Sequence, residues 1–304
     1  MMWHRWGLNR YLLLRLGALA AAAVFASSAL AGAQEKQPAA QPIADHAHLA
    51  TDALPFAPGE QLTYRLLWWG LPAGKAVTKV SETNEHNGHL VWKITSTAIS
   101  SEFVDIFYRV RDQVVSLFDP ALRAPRYYEI NQHEGRYRAK RTITFDQEAG
   151  RATYVKNENP PQIKDIPTGT QDAISVLYYF RALKVEPGTT VTIPTLPGKK
   201  LHHVKVDVLR RETIILPDLG PIATLVVQPH MEFTGIFRKA GSVFVWLTDD
   251  ERKIPVRMKT AIIFGKVTAD LVEGRGCRKA PKRPGEKKLP PGEKKLPPGE
   301  VCKS

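Results

Sequence analysis

The sequence predicts a mainly β protein: a large antiparallel meander, curled into a barrel or half-barrel, with one helix packed on or in it. Three observations predict it. Segments between Phe56 and Gly274 alternate apolar and polar residues at the period of two expected of half-buried strands, turn-forming pairs separate them at short intervals, and one stretch breaks the pattern with helical spacing. An antiparallel sheet of this length with one apolar-faced helix to cover would curl around it. Curled sheets often enclose a space in which a ligand can sit.

Taken in order, the stretch EQLTYRLLWWG places Leu62, Tyr64, Leu66 and Trp68 on one face and starts the other with Thr63 and Arg65. Alternation resumes at 73–82, 89–99, 109–118 and 127–132. In RYRAKRTITFD, Tyr137, Ala139, Ile143 and Phe145 share a face that also carries Arg141, while Arg136, Arg138, Lys140, Thr142 and Thr144 share the opposite one. The exception follows. In TQDAISVLYYFRALKV, Ala173, Val176, Leu177, Phe180 and Leu183 recur at helical spacing behind a polar start, with Thr170 or Asp172 as the cap. Strand-like segments return at 191–196, 201–211, 222–232, 243–247, 255–263 and 266–272, for roughly a dozen strands in all. Asn87-Gly88, Glu134-Gly135, Ala149-Gly150, Pro187-Gly188 and Pro197-Gly198 supply turns between them.

The two ends have a different composition. Residues 1–33 hold Arg5, Arg10 and Arg15, no acid, an apolar run rich in Leu and Ala, and small residues at its close. That is the layout of a secretory signal peptide, cut after Ala31 or Ala33, and it places the mature protein in the periplasm. The alternative is an uncleaved anchor, because residues 12–30 are long enough to cross a bilayer. Residues 34–55, rich in Ala, Gln and Pro, form a flexible linker ahead of a single domain at 56–274. Residues 275–304 form a basic tail in which PGEKKLP starts at Pro284 and again at Pro291. Proline at that density favours extended, solvated backbone, so the tail reads as a semi-rigid arm, either one making peripheral contact with an anionic membrane or envelope polymer or a tolerated low-complexity extension. Much of the formal net charge of +13 sits at these ends, where the tail alone has ten Lys and Arg against three Glu. Nucleic acid is therefore not an expected partner. Cys277 and Cys302 are the only cysteines and bracket the repeat, so in an oxidising compartment they are placed to close it into a loop.

No G-x-S-x-G, H-E-x-x-H, phosphate loop or nucleotide fingerprint occurs, so the sequence assigns no catalytic residue and no cofactor. His202 and His203 are neighbours on a strand and point to opposite faces, and His86, His89, His133 and His230 are scattered. His46 and His48 make a two-ligand pair on a flexible linker, which holds a metal poorly. In VWLTDDERKIPVRM, Asp249 and Asp250 lie between two strands. Short acids bond their own backbone there, and Pro255 suits the first residue of the next strand, so the pair builds a turn rather than a catalytic site. For a ligand, Trp68 and Trp69 beside Gly70 place aromatics at a flexible turn suited to a cavity mouth. Arg109, Arg111, Arg136, Arg138 and Lys140 are the basic side chains able to cradle an anionic headgroup or sugar. The competing readings are a core and an edge tryptophan, and a solvated basic face.

Three stretches in this order, GEQLTYRLLWWGLPAG, QDAISVLYYFRAL and VWLTDDERKIPVRMKTAIIFGKVTADL, resemble the exported bacterial family known as domain of unknown function 3108, over residues 56–273. The resemblance brings no activity with it. A strand ending in Trp, an acidic turn and a Pro-started strand are also similar to the periplasmic lipoprotein carriers, which implies an open half-barrel that holds acyl chains. The resulting expectation is a non-enzymatic binding or carrier protein for an amphipathic envelope molecule, a lipid or glycolipid. The alternatives are an envelope hydrolase drawing paired carboxylates from Glu102, Asp105, Asp112 and Asp172, and a scaffold that binds other envelope proteins.

Overall fold

The computed structural model of the protein describes residues 53–230, 242–262, 265–278 and 301–302. The expected signal peptide, most of the linker with His46 and His48, and the proline-rich repeat lie outside the described residues. From the centre of one sheet, β1 (Gln61–Trp68), β2 (Leu71–His86), β3 (His89–Ser100), β4 (Arg111–Asp119), β5 (Ala124–Glu134), β6 (Tyr137–Asp146), β7 (Arg151–Lys156) and β8 (Gln162–Asp165) run outward in chain order. The chain then crosses to the opposite edge. From there β9 (Thr190–Thr195), β10 (His202–Leu216), β11 (Gly220–His230), β12 (Val243–Thr248), β13 (Pro255–Ile262) and β14 (Gly265–Arg275) run back to the centre, where β14 pairs with β1. Neighbouring strands are antiparallel throughout, and the sheet stays open at β8 and β9, which makes it a half-barrel. The antiparallel meander with a helix is the expected architecture. β7, β8 and a short helix α1 (Glu102–Tyr108) go beyond the elements that periodicity marked.

The expected helix is α2 (Ser175–Arg181), in the crossover between the two edges. Of its two candidate caps, Asp172 does the work. Its Oδ1 accepts the backbone N–H groups of Ile174 (2.8 Å) and Ser175 (2.7 Å), and its Oδ2 accepts the Ser116 hydroxyl (2.5 Å). Burial pushes the Asp172 carboxyl up to about 6 against these bonds. The two sides of the helical segment serve two halves of the sheet. Ile174, Tyr178 and Ala182 pack with Val80, Ile94, Val114, Ile130 and Ile143, whereas Val176, Phe180 and Leu183 pack with Val204, Val206, Leu225 and Val245. α2 thus fills the space the sheet curls around. A cavity of about 30 Å³ remains between α2, β1 and β13, lined by Leu62, Tyr64, Leu177, Tyr178 and Met258 among others. That is about a tenth of the smallest usual ligand pocket.

Arg181 pins the plug. It is fully buried, its guanidinium donates to both Glu60 carboxylate oxygens (2.7 and 2.8 Å), and its Nε donates to the Arg252 carbonyl (3.0 Å). The rings of Phe56 and Tyr178 flank it at 5.4 and 5.2 Å. One side chain therefore joins α2, the lead into β1 and the β12–β13 turn.

Cys277 is bonded to Cys302, with their Cα atoms 6.0 Å apart. The far end of the tail departs from the expected solvated arm: Val301 is buried in a cluster with Leu62 and Leu271, and its carbonyl lies against Gly274. The disulfide and the buried Val301 thereby tie residues 301–302 back to the end of β14. Replacing both cysteines by Ala should lower stability by about 3 kcal/mol, because the bond restrains the unfolded chain over 25 positions. An unchanged denaturation midpoint under oxidising conditions would contradict the closure.

Candidate functional site

One end of the half-barrel carries the β1–β2 turn, the β3–β4 crossover with α1, the β5–β6 turn and the start of β14. Five large apolar side chains on this rim, Trp69, Leu71, Phe103, Ile106 and Phe107, are between 58% and 75% exposed. Three of them belong to α1, whose seven residues include none that is buried. A helix that short has little stability of its own, and core packing does not hold this one.

Polar ties at both ends hold it instead. Ser101 caps the first turn by accepting the Val104 N–H (3.4 Å), and Glu102 and Asp105 suit the positive end of the helix. The Ser101 N–H donates to the Ala73 carbonyl (2.8 Å), which lashes the start of α1 to β2. Asp105 accepts from Arg111 at 3.1 and 2.5 Å and also from the Ser100 hydroxyl, and the Arg111 bond holds its carboxyl below the usual range. At the other end the Gly135 N–H donates to the Arg109 carbonyl (2.7 Å), and the Tyr108 hydroxyl donates to Glu134 Oε2 (3.4 Å). Gly135 has a φ of 54°, and a β-carbon there would press on the Tyr108 ring at 3.1 Å, so the turn and the helix end fit closely. Phe103 and Phe107, one turn apart, meet edge to face at 5.8 Å.

The structure brings several of the sequence candidates to this rim and separates others from it. Trp68 is half-buried against a core cluster, while Trp69, at φ 53°, turns outward and lays its indole over Gly265 at the start of β14. Arg109, Arg136 and Arg138 are exposed beside α1 and on the adjoining β5–β6 turn. Arg111 is committed to Asp105, and Lys140 pairs with Glu129 (3.0 Å) farther along β6. Sequence reading missed α1 itself. Its signal was Ser101 followed by acids at 102 and 105, but its apolar residues face outward and leave no core periodicity to detect.

Beneath the end of α1 lies a carboxyl pair, Asp112 and Glu134, joined by a hydrogen bond. Asp112 is buried and accepts the His133 N–H (2.8 Å), and the Gln132 amide donates to Glu134 Oε1 (2.8 Å). Burial, and next the neighbouring Asp112 charge, push Glu134 up to about 8, and burial raises Asp112 as well. The folded pair thus retains a proton that an unfolded Glu, titrating at about 4.3, would release. The resulting stability is fully present below about pH 4.3 and is lost as pH rises through about 8. Glu134→Gln should therefore flatten the fall in thermal midpoint between pH 5 and pH 9, and parallel curves for variant and parent would disprove the shared proton.

The hydrolase acids do not converge. Glu102 is exposed on α1, Asp105 is locked to Arg111, and Asp172 caps α2. Asp112 meets Glu134 at hydrogen-bonding distance, closer than the roughly 5 Å or more that separates glycosidase carboxylates. Asp249 and Asp250 diverge: the first binds Arg211, and the second accepts the Arg252 backbone N–H and guanidinium and the Thr248 hydroxyl. No cluster of three or more His, Cys, Asp or Glu residues able to hold a metal occurs among the described residues.

Residues 61–272, which include every strand except the final residues of β14, match the family model described as protein of unknown function (DUF3108). The chain belongs to the DUF3108 family. Among solved structures, this DUF3108 chain is similar to a β-barrel-like protein of domain of unknown function DUF1849 from Brucella abortus. The identity is 10%, the match covers 73% of this chain and 98% of that one, and the TM-score is 0.50. A protein of YmcC-like fold from Bacteroides fragilis aligns at 13% identity over 73% of this chain and 97% of that one, with a TM-score of 0.34. No curated protein matches. The Brucella likeness concerns fold alone, so the DUF3108 half-barrel is barrel-like, and its function must be argued from its own side chains. Among the described residues no helix is long and apolar enough to cross a membrane.

Proposed function

We propose that this DUF3108 protein is an exported envelope protein that binds an amphipathic molecule, a lipid or glycolipid, without transforming it, and that it does so at the rim and not in the interior. The observation that supports the rim is α1: polar ties at both ends hold out a helix with no buried residue and three large exposed apolar ones. Left in water, such a patch costs stability and invites aggregation, which makes a partner of matching chemistry its natural complement. Among the described residues the interior offers less: α2 packs into it, and the cavity of about 30 Å³ beside α2 is far too small for an acyl chain. Export rests on the leader-like first 33 residues and on the paired cysteines, which suit an oxidising compartment.

Titration with lysophosphatidylglycerol, kept below the concentration at which it forms micelles, tests the reading. Saturable binding that weakens at least tenfold in Phe103→Ser/Phe107→Ser is expected. Absence of binding, or equal binding by that variant, would remove the rim as the ligand site.

A further inference from the structure

The rim's chemistry allows its partner to be stated more closely, on the strength of the reading just given. We infer that the rim docks on the surface of an anionic phospholipid bilayer, with α1 and the β1–β2 turn entering the headgroup layer together and arginines meeting the lipid phosphates.

Two features of the geometry favour a bilayer surface over a single enclosed molecule. First, the apolar side chains are exposed on connections at one end of the sheet, 58% or more of each in contact with solvent. Phe103, Ile106 and Phe107 sit on α1, and Trp69 and Leu71 on the neighbouring turn, with Ser101 bonded to Ala73 between the two elements. A seven-residue helix is too short to partition alone, but one held in place by the sheet loses no ordering entropy on contact. Tryptophan beside aliphatic residues matches the boundary between acyl chains and headgroups, where the indole ring is favoured.

Second, the exposed charge around these residues is mainly positive. Arg109, Arg136 and Arg138 are exposed, as are Lys75 on β2 and Lys266 on β14. Asp105 is paired with Arg111 and Glu134 shares a proton with Asp112, which leaves Glu102 on α1 as an exposed acid among the five exposed cations. Arginine suits this role because its planar group can grip phosphate with two donors while its stem lies along apolar surface. The same charge disfavours a second copy of the chain on this face, since a two-fold contact would set arginines against arginines.

The test is sedimentation of the full mature chain with vesicles of phosphatidylethanolamine and phosphatidylglycerol, and with vesicles of phosphatidylcholine alone. Two variants accompany it: Phe103→Ser/Phe107→Ser and Arg109→Gln/Arg136→Gln/Arg138→Gln. All five positions are exposed, so both variants should keep the parent's circular dichroism and thermal midpoint. The parent should prefer the anionic vesicles. The arginine variant should bind them about tenfold or more weakly, with a shallower dependence on salt, since each cation near the surface contributes several-fold. The apolar variant should lose binding that survives high salt. Parent protein that ignores anionic vesicles, or variants that bind like the parent and so leave attachment to the basic tail, would overturn the inference. So would a dimer seen by sedimentation velocity and abolished by Phe103→Ser/Phe107→Ser. Binding of the monomeric lysolipid without binding of vesicles would defeat the bilayer inference alone, whereas failure of both would defeat the rim as an amphipathic site.

Discussion

Arg181→Met should destabilise the protein by about 3–5 kcal/mol while leaving the exposed rim chemically intact. The magnitude follows from what the substitution strands. Glu60 and Arg181 are both fully buried and satisfy each other through two parallel hydrogen bonds of 2.7 and 2.8 Å. Methionine fills most of the volume but leaves the Glu60 carboxylate among Phe56, Tyr64 and Tyr178 without its cation, and also strips the Arg252 carbonyl of its donor. The double variant Glu60→Leu/Arg181→Met removes the stranded charge along with its partner. It should recover much of the loss, because a buried ion pair and an apolar replacement of similar size are often close in stability. Chemical denaturation of parent, single and double variants gives the comparison. A single variant within about 1 kcal/mol of the parent would mean that the pair does not anchor α2.

The sequence made the inward face of the sheet legible residue by residue and made its connectivity much less so. Leu62, Tyr64 and Leu66 alternate and are buried, as are Ile143 and Phe145, and Arg141 shares their buried side. Burial leaves that signature because successive strand residues face opposite sides. The pairing of β1 with β14, separated by nearly the whole domain, leaves no local mark, and neither does the central place of β1 in the sheet. β8 was missed because it is a four-residue edge strand with Ile163 exposed, and β7 because Arg151 and Lys156 obscure six residues of alternation. The helical spacing of α2 was plain since both of its sides face core, whereas α1 buries nothing. For the site, Trp69 and three of the arginines could be named from the sequence. Their convergence on one rim could not, because it depends on which turns share an end of the sheet.

Trp246→Ala should cost about 3 kcal/mol or more, whereas Asp250→Asn, four residues away, should cost about 1 kcal/mol or less. Trp246 is buried in β12, with Lys259 over its ring at 5.3 Å and its Nε1–H donated to Glu212, so alanine opens a large cavity and leaves an acceptor behind. Asp250 is half-buried and builds the β12–β13 turn. Its Oδ1 takes the Arg252 N–H at 3.0 Å and the Thr248 hydroxyl at 2.8 Å, and its Oδ2 takes the Arg252 guanidinium at 2.6 Å. Asparagine retains an oxygen for the first two bonds but puts an amide NH2, a donor, where Oδ2 accepted, so it loses the guanidinium bonds of a partly exposed pair, which contribute little. Burial raises the Asp250 carboxyl, but Arg252 outweighs it and leaves the group below its ordinary value. The stability at stake is therefore present above about pH 4 and is lost as pH falls through the lowered value, so parent and Asn variant should converge in acid. A catalytic Asp250 would give the opposite ranking. The Asn variant would accumulate as stable protein yet fail to restore a deletion strain, while Trp246→Ala would fail only in proportion to its loss of folded protein. Measuring complementation beside folded abundance for both variants decides between a turn and an active site.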